Sequence, residues 1–219
     1  MTLALYGHPF SSYTQKVLIA LYENNIPCEF RSIGPDTPQH SAEWLLRWPL
    51  HKFPLLVDGE RNVAETSIII EYLHLHYPGP VRLLPADPMA ALEVRFLDRF
   101  FDLHVMNAAQ HAVDGALTGD PVKRQEGMAM AVKKLERAYA WLEAHLADRT
   151  WAAGSDFTLA DCAAAPSLFY ADWTLQISEA FPALRAYRAR LLARPSFARA
   201  VEEARQFRHY FPLGAPDRD

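Results

Sequence analysis

Cysteine is scarce in this chain: two occur in 219 residues, Cys28 and Cys162, far apart and in no CxxC pair. A disulfide scaffold is thereby excluded, and a reducing, cytoplasmic setting is the expectation. There is no large excess of charge of either sign. Lysine and arginine number 22 against 26 acidic residues, a net charge of −4. That balance lacks the basic surplus that nucleic acid or anionic lipid would demand. No apolar run approaches the ~20 residues needed to span a bilayer. The opening residues, MTLALYGHPFSS, carry no basic region of the kind that begins a signal peptide. Internal repeats and low-complexity tracts are missing as well. What remains is an ordinary globular composition, 50% apolar and 22% charged, long enough for one or two domains.

Leu3, Leu5 and Tyr6 form a short apolar run closed by Gly7 and Pro9, as in a buried strand followed by a turn. From Ser12 the residues Val17, Leu18, Leu21 and Tyr22 recur at helical steps as far as Asn24-Asn25, and Cys28 to Ile33 reads as a second strand. Strand, helix and strand with short joints make a βαβ unit with parallel strands. A second helix is expected from Ala42 to Trp48, before Pro49. Pro54 to Val57 and Arg61 to Ala64 flank Asp58-Gly59, a strong hairpin signal. Ser67 to Tyr77 is helical again, stopped by Pro78-Gly79. Residues 79–87 read as a proline-rich linker, and beyond them only helical periodicity is found. Leu92, Phe96, Phe100 and Leu103 mark one long helix; Met128, Val132, Leu135, Tyr139, Leu142 and Leu146 mark another. Further helices follow Thr158, Phe181-Pro182 and Pro195, with Thr158 and Asp161 forming a structural capping box beside Phe157. The expected class is α/β plus all-α: a β-α-β-α-β-β-α domain over residues 1–78 and an all-helical domain over residues 88–219.

Candidate chemistry concentrates in the first domain. Ser11 and Ser12 lie between the first strand and the first helix, where backbone N–H groups and the helix dipole favour negative charge. Ser12 with Gln15 fits a capping box. Ser11 is then left with a free hydroxyl that could donate to a bound thiolate and lower its pKa. The proline of Phe53-Pro54 is either strand punctuation or the seat of a cis bond. A cis bond would turn the Phe53 backbone toward Ser11, where it could pair with an extended peptide. His51 and Lys52 are either solvated or meet a ligand carboxylate. Glu65, Thr66 and Ser67 open the third helix; as caps they need no further role, but together they could hold both charges of an amino-acid head. The nine histidines invite a metal reading that their spacing does not support. His74 and His76 cannot face one ion, and His104 and His111 lack a third ligand, so no metal is expected. Phe10, Phe100, His104, Phe169 and Trp173 are candidates to line an apolar second-substrate pocket.

The segments LYGHPFSSYTQKVLIAL, KFPLLVDG and ETSIIIEYL resemble the glutathione S-transferase family across its thioredoxin-like N-terminal domain. GSDFTLADCAAAP and ARPSFARAVEEA resemble that family's helical domain, so the likeness spans nearly the whole chain. The resemblance implies a homodimer that takes glutathione as co-substrate, with Ser11 as thiol activator. It further implies the Phe53 backbone on the cysteinyl part, Glu65 and Thr66 on the γ-glutamyl end, and Lys52 with His51 on the glycine carboxylate. Tyr6 is the rival activator, as in the tyrosine classes, and otherwise a core residue. The chain departs from the family in carrying Trp48-Pro49-Leu50-His51 where many members have Asn-Pro-x-Gly. Two other functions stay open, a glutathione-dependent isomerase of the maleylacetoacetate type and a non-catalytic binding protein. The isomerase group has a cysteine and a Trp-Arg pair where this chain has Tyr13 and Gln15-Lys16.

Overall fold

The computed structural model describes residues 3–219. Strands β1 (Leu3–Gly7), β2 (Cys28–Ser32), β3 (Leu55–Asp58) and β4 (Arg61–Ala64) form one sheet in the order β2-β1-β3-β4. β1 and β2 are parallel, and β3 runs antiparallel to both β1 and β4. Helices α1 (Ser12–Glu23), α2 (Pro38–Arg47) and α3 (Thr66–His76) complete the thioredoxin-like unit. α2 begins at Pro38 rather than at Ala42, because a proline is well placed in a first helical turn. That turn is polar, so apolar periodicity is silent there.

β1 is buried on both faces, and its period of two sorts its side chains. Leu3 and Leu5 join the main core with Val17, Leu21, Leu56 and Ile69. Ala4 and Tyr6 join a smaller cluster with Trp44, Leu55 and Val57 under α2.

Past the linker the described residues form α4 (Pro88–Phe100), α5 (Asn107–Leu117), α6 (Pro121–Leu146), α7 (Leu159–Thr174), α8 (Pro182–Leu192) and α9 (Pro195–Ala204). α4 passes into α5 through a π-helical turn, Phe101–Met106, and α9 ends in a 3₁₀ turn, Arg205–Tyr210. The main core runs from the sheet into these helices without a break, and α1 packs against α7 and α9. The capping box of α7 forms: Thr158 N–H donates to Asp161 at 2.8 Å. The same buried carboxylate accepts from Ala152 N–H at 2.8 Å and Tyr187 Oη at 2.6 Å. On α4 the apolar spacing marks the helix but not its buried face. Of the four spaced residues Leu92, Phe96 and Leu103 are exposed and Phe100 is buried, while Ala91, Val94, Leu97 and Phe101 also enter the core. No helix among the described residues is long and apolar enough to cross a membrane.

Candidate active site

A cleft of about 650 Å³ opens beside the C-terminal end of β1, between the α/β unit and the helical region. Ser11, His51, Lys52, Phe53, Pro54, Glu65 and Thr66 all line it, brought together from three loops. The Phe53–Pro54 peptide is cis. Glu65 sits at φ +68°, a left-handed conformation that costs an ordinary residue roughly 1–2 kcal/mol. It is the N-cap of α3, yet its carboxylate makes no capping bond. The first N–H groups of α3 therefore face the cleft without a side-chain acceptor from the cap, which is an anion-binding arrangement. His51, at the place of the family's glycine, also has a positive φ, +54°.

The capping role falls to Ser11 rather than to Ser12. Ser11 is the N-cap of α1, its Oγ accepting from Thr14 N–H at 3.4 Å. Ser12 is already inside the helix, and the Ser12–Gln15 capping box does not form. Gln15 instead donates to Pro9 O and to Tyr170 Oη, at 3.0 and 3.1 Å. Tyr6 lines no part of the cleft. Strand parity turns it to the α2 face, where its hydroxyl accepts from Arg31 and burial, first of all, raises its pKa.

Beneath the cleft lies a charged cluster that the sequence reading missed. Lys16, 1% exposed, sends Nζ to Asp98 at 2.6 Å, Asp102 at 2.9 Å and Ser67 Oγ at 3.1 Å. Ser67 in turn donates to Asp98 at 2.6 Å, and Arg99 pairs with Asp102 at 3.1 Å. Burial pushes the Asp102 carboxyl upward in pKa, with Lys16 opposing. The cluster joins α1, α3, α4 and the π-helical turn, and Asp102 and Arg99 also reach the cleft wall. Only a lysine directly before the apolar run Val17 to Leu21 hinted at it.

A second, smaller cavity of about 310 Å³ adjoins the first and is mainly apolar. Ser11, Tyr13 and Gln110 belong to both walls. Of the residues expected to line it, Phe10 does. Phe169 and Trp173 lie a step round α7 from the lining residues Tyr170 and Thr174, and pack into the core near Phe197 and Phe211. The Phe100 ring packs tilted against Trp141, centroids 4.3 Å apart, and His104 against Phe100 at 5.1 Å, away from the cavity. Met106, Ala109, Val113, Phe211 and Pro212 take their place. Tyr13 was also missed: it donates to Asn107 at 3.2 Å, and burial pushes its phenol up to about 12.

The profile of the glutathione S-transferase N-terminal domain matches residues 5–81, and that of the C-terminal domain matches residues 110–190. The chain belongs to the glutathione S-transferase family. A probable maleylacetoacetate isomerase of Vibrio cholerae is 31% identical over 212 residues, spanning 93% of this chain and 97% of that protein. Glutathione S-transferase GstB of Escherichia coli is 29% identical over 171 residues, 76% of this chain and 82% of that protein. A glutathione transferase homologue from Drosophila mojavensis, solved with bound glutathione, matches this chain with a TM-score of 0.80 at 28% identity, covering 94% of each chain. In the present chain the π-helical turn supplies Asp102 and Leu103 to one cavity and Met106 to the other. π-helical turns inside α-helices are frequent at functional sites.

Proposed function

We propose that this transferase lowers the pKa of the glutathione thiol at Ser11 and delivers the thiolate to a neutral, apolar electrophile in the adjoining cavity. The observation that carries this reading is the shared wall: Ser11 borders both cavities at once. A thiol placed there would meet the hydroxyl and the N-terminus of α1 on one side and the second substrate on the other. Catalysis would then rest on positioning and thiolate stabilisation. Residues 1–78 would hold glutathione, with the Phe53 backbone on the cysteinyl group. Glu65 and the N-terminus of α3 at Thr66 would take the γ-glutamyl head, and Lys52 with His51 the glycine carboxylate. Residues 88–219 would supply most of the electrophile cavity.

The Vibrio relative's name favours isomerisation as a second reading. Against it, no lysine, arginine or histidine lines the smaller cavity among the described residues. A maleylacetoacetate-type diacid would place carboxylates there without a cation, at a cost that burial makes large. Assays with chlorodinitrobenzene and maleylacetone, beside retention on immobilised glutathione, decide the matter. Conjugation with retention supports the transferase; isomerisation alone replaces it; retention without turnover points to a binding protein.

We also propose a homodimer in the cytoplasm. Met89, Leu92 and Phe96 on α4 and Ile68 and Leu75 on α3 are all exposed, and Trp141 packs against Phe96. Large apolar side chains exposed on two helices that the Arg95–Glu71 pair joins suit a subunit contact.

A further inference from the structure

The two carbonyls that precede Ser11 are both held by side chains, and one holder comes from the far domain. Gln15 Nε2 donates to Pro9 O at 3.0 Å. Tyr170 Oη, on α7, donates to Phe10 O at 2.7 Å and accepts from the same Gln15 amide at 3.1 Å. The hydroxyl's only proton is committed to Phe10 O, so Tyr170 is an acceptor toward Gln15, and Pro9 O can only accept. Both neighbours thus require a donor, which fixes the amide orientation. Its Oε1 is left buried without a partner, an uncompensated polar atom tolerated in order to place the NH₂ group. Gln15 is fully buried and Tyr170 is 4% exposed. Burial raises the Tyr170 pKa, so the hydroxyl keeps its proton throughout the working range. By contrast, among the described residues Ser11 Oγ is tied only by its 3.4 Å capping bond, long for a hydrogen bond. The backbone before Ser11 is clamped while its hydroxyl is loosely held.

We propose that Gln15 and Tyr170 are positioning residues for thiol activation: by gripping the Pro9 and Phe10 carbonyls they aim the Ser11 hydroxyl at the glutathione sulfur. This rests on the reading of Ser11 as the thiol activator. It gives the helical domain a part in glutathione chemistry that is separate from binding the electrophile. The Tyr170 ring, which packs edge-on against Phe10 at 5.3 Å, is also a wall of the electrophile cavity. One residue therefore meets the second substrate with its ring and the Ser11 loop with its hydroxyl.

Tyr170→Phe keeps the ring and removes the hydroxyl; Gln15→Met keeps the volume and removes the amide. The thiolate absorbance of bound glutathione is titrated for both variants, for Ser11→Ala, and for the Ser11→Ala/Tyr170→Phe pair. Each single variant should raise the thiol pKa, by about half a unit or more for Tyr170→Phe and Gln15→Met. Their kcat should fall several-fold near neutral pH and recover as pH rises, with KM for glutathione unchanged within about twofold. In the Ser11→Ala background, Tyr170→Phe should shift the pKa no further. A lower melting temperature with an unmoved thiol pKa in both Tyr170→Phe and Gln15→Met overturns the proposal and leaves plain structural roles. If Tyr170→Phe does not fold, Gln15→Met reads the same clamp from its other end. A null result for Ser11→Ala overturns the reading of Ser11 itself, and the proposal with it. A shift for Ser11→Ala without one for the other two overturns the proposal alone.

Discussion

Ser11 caps α1 and, like Tyr13 and Gln110, borders both cavities. Removing its hydroxyl should therefore register twice. Ser11→Ala is expected to raise the pKa of bound glutathione by on the order of one unit, equivalent to ~1.4 kcal/mol. Turnover near neutral pH should drop roughly tenfold or more and recover as pH rises past the new pKa. The same substitution should cost no more than about 1 kcal/mol of stability, since the capping bond is long. Ser12 makes no capping bond, so Ser12→Ala should change neither quantity. Tyr6→Phe separates the rival activator. It should leave the thiol pKa in place and destabilise the fold by about 1 kcal/mol through the lost Arg31 partner. Thiolate absorbance against pH, with urea unfolding beside it, measures all three. A thiol pKa that moves in Tyr6→Phe and not in Ser11→Ala sinks the serine assignment.

Helix α3 has to present its N-terminus to the cleft, and a carboxylate at its other end keeps it in place. Asp58, at the hairpin between β3 and β4, accepts from Tyr72 and Tyr77, each at 2.7 Å. Tyr77 first and Tyr72 second hold the Asp58 carboxyl below its usual pKa, and the bond to Asp58 pushes the Tyr77 phenol up to about 12. A carboxyl with a depressed folded-state pKa stabilises the fold above its unfolded pKa, and the contribution is lost as pH falls through the folded value. Asp58→Ala should thus cost about 1 kcal/mol at neutral pH, a figure that allows for solvent screening at this half-exposed site. The difference from the native protein should shrink as pH drops below the ordinary carboxylate range. Urea midpoints at neutral and acid pH test it; a gap that does not narrow on acidification refutes the account.

Across the whole molecule, the joint between the two halves is electrostatic as well as apolar. Lys16 is the buried cation between Asp98 and Asp102, so Lys16→Met leaves two carboxylates facing each other in a nearly dry site, with Arg99 reaching only Asp102. Breaking a buried ion pair from one side costs about 3–5 kcal/mol, and urea unfolding of Lys16→Met should show a loss of that size. A loss below about 1 kcal/mol would mean that the carboxylates take up protons or water at little cost. The exposed face of α3 and α4 makes a separate prediction. If it is a subunit contact, Phe96→Glu should yield monomers at concentrations where the native chain sediments as a dimer. A native chain that sediments as a monomer at micromolar concentration removes the dimer altogether.

The order of strands and helices in the first domain and the α7 capping box were legible in the sequence, which also left Phe53-Pro54 open to a cis bond; α5 and the cleft residues Tyr13, Arg99 and Asp102 were not. The legible features depend on short-range rules: a period of two or of about 3.6 residues, turn chemistry at Asp58-Gly59, and caps within a few residues of a helix start. What the sequence could not determine was rotation. One residue along a helix is about 100° around it, and an apolar stripe does not say which neighbour it will meet. For this reason Tyr170 and Thr174 face the cavity while Phe169 and Trp173 enter the core, and the exposed stripe of α4 stands beside its buried one. The same holds for Lys16 and Gln15, whose partners lie 86 and 155 residues further along the chain. Only the packing of α1 against the helical region brings those groups within reach, because burial in that joint makes an unpaired charge or amide too costly to leave.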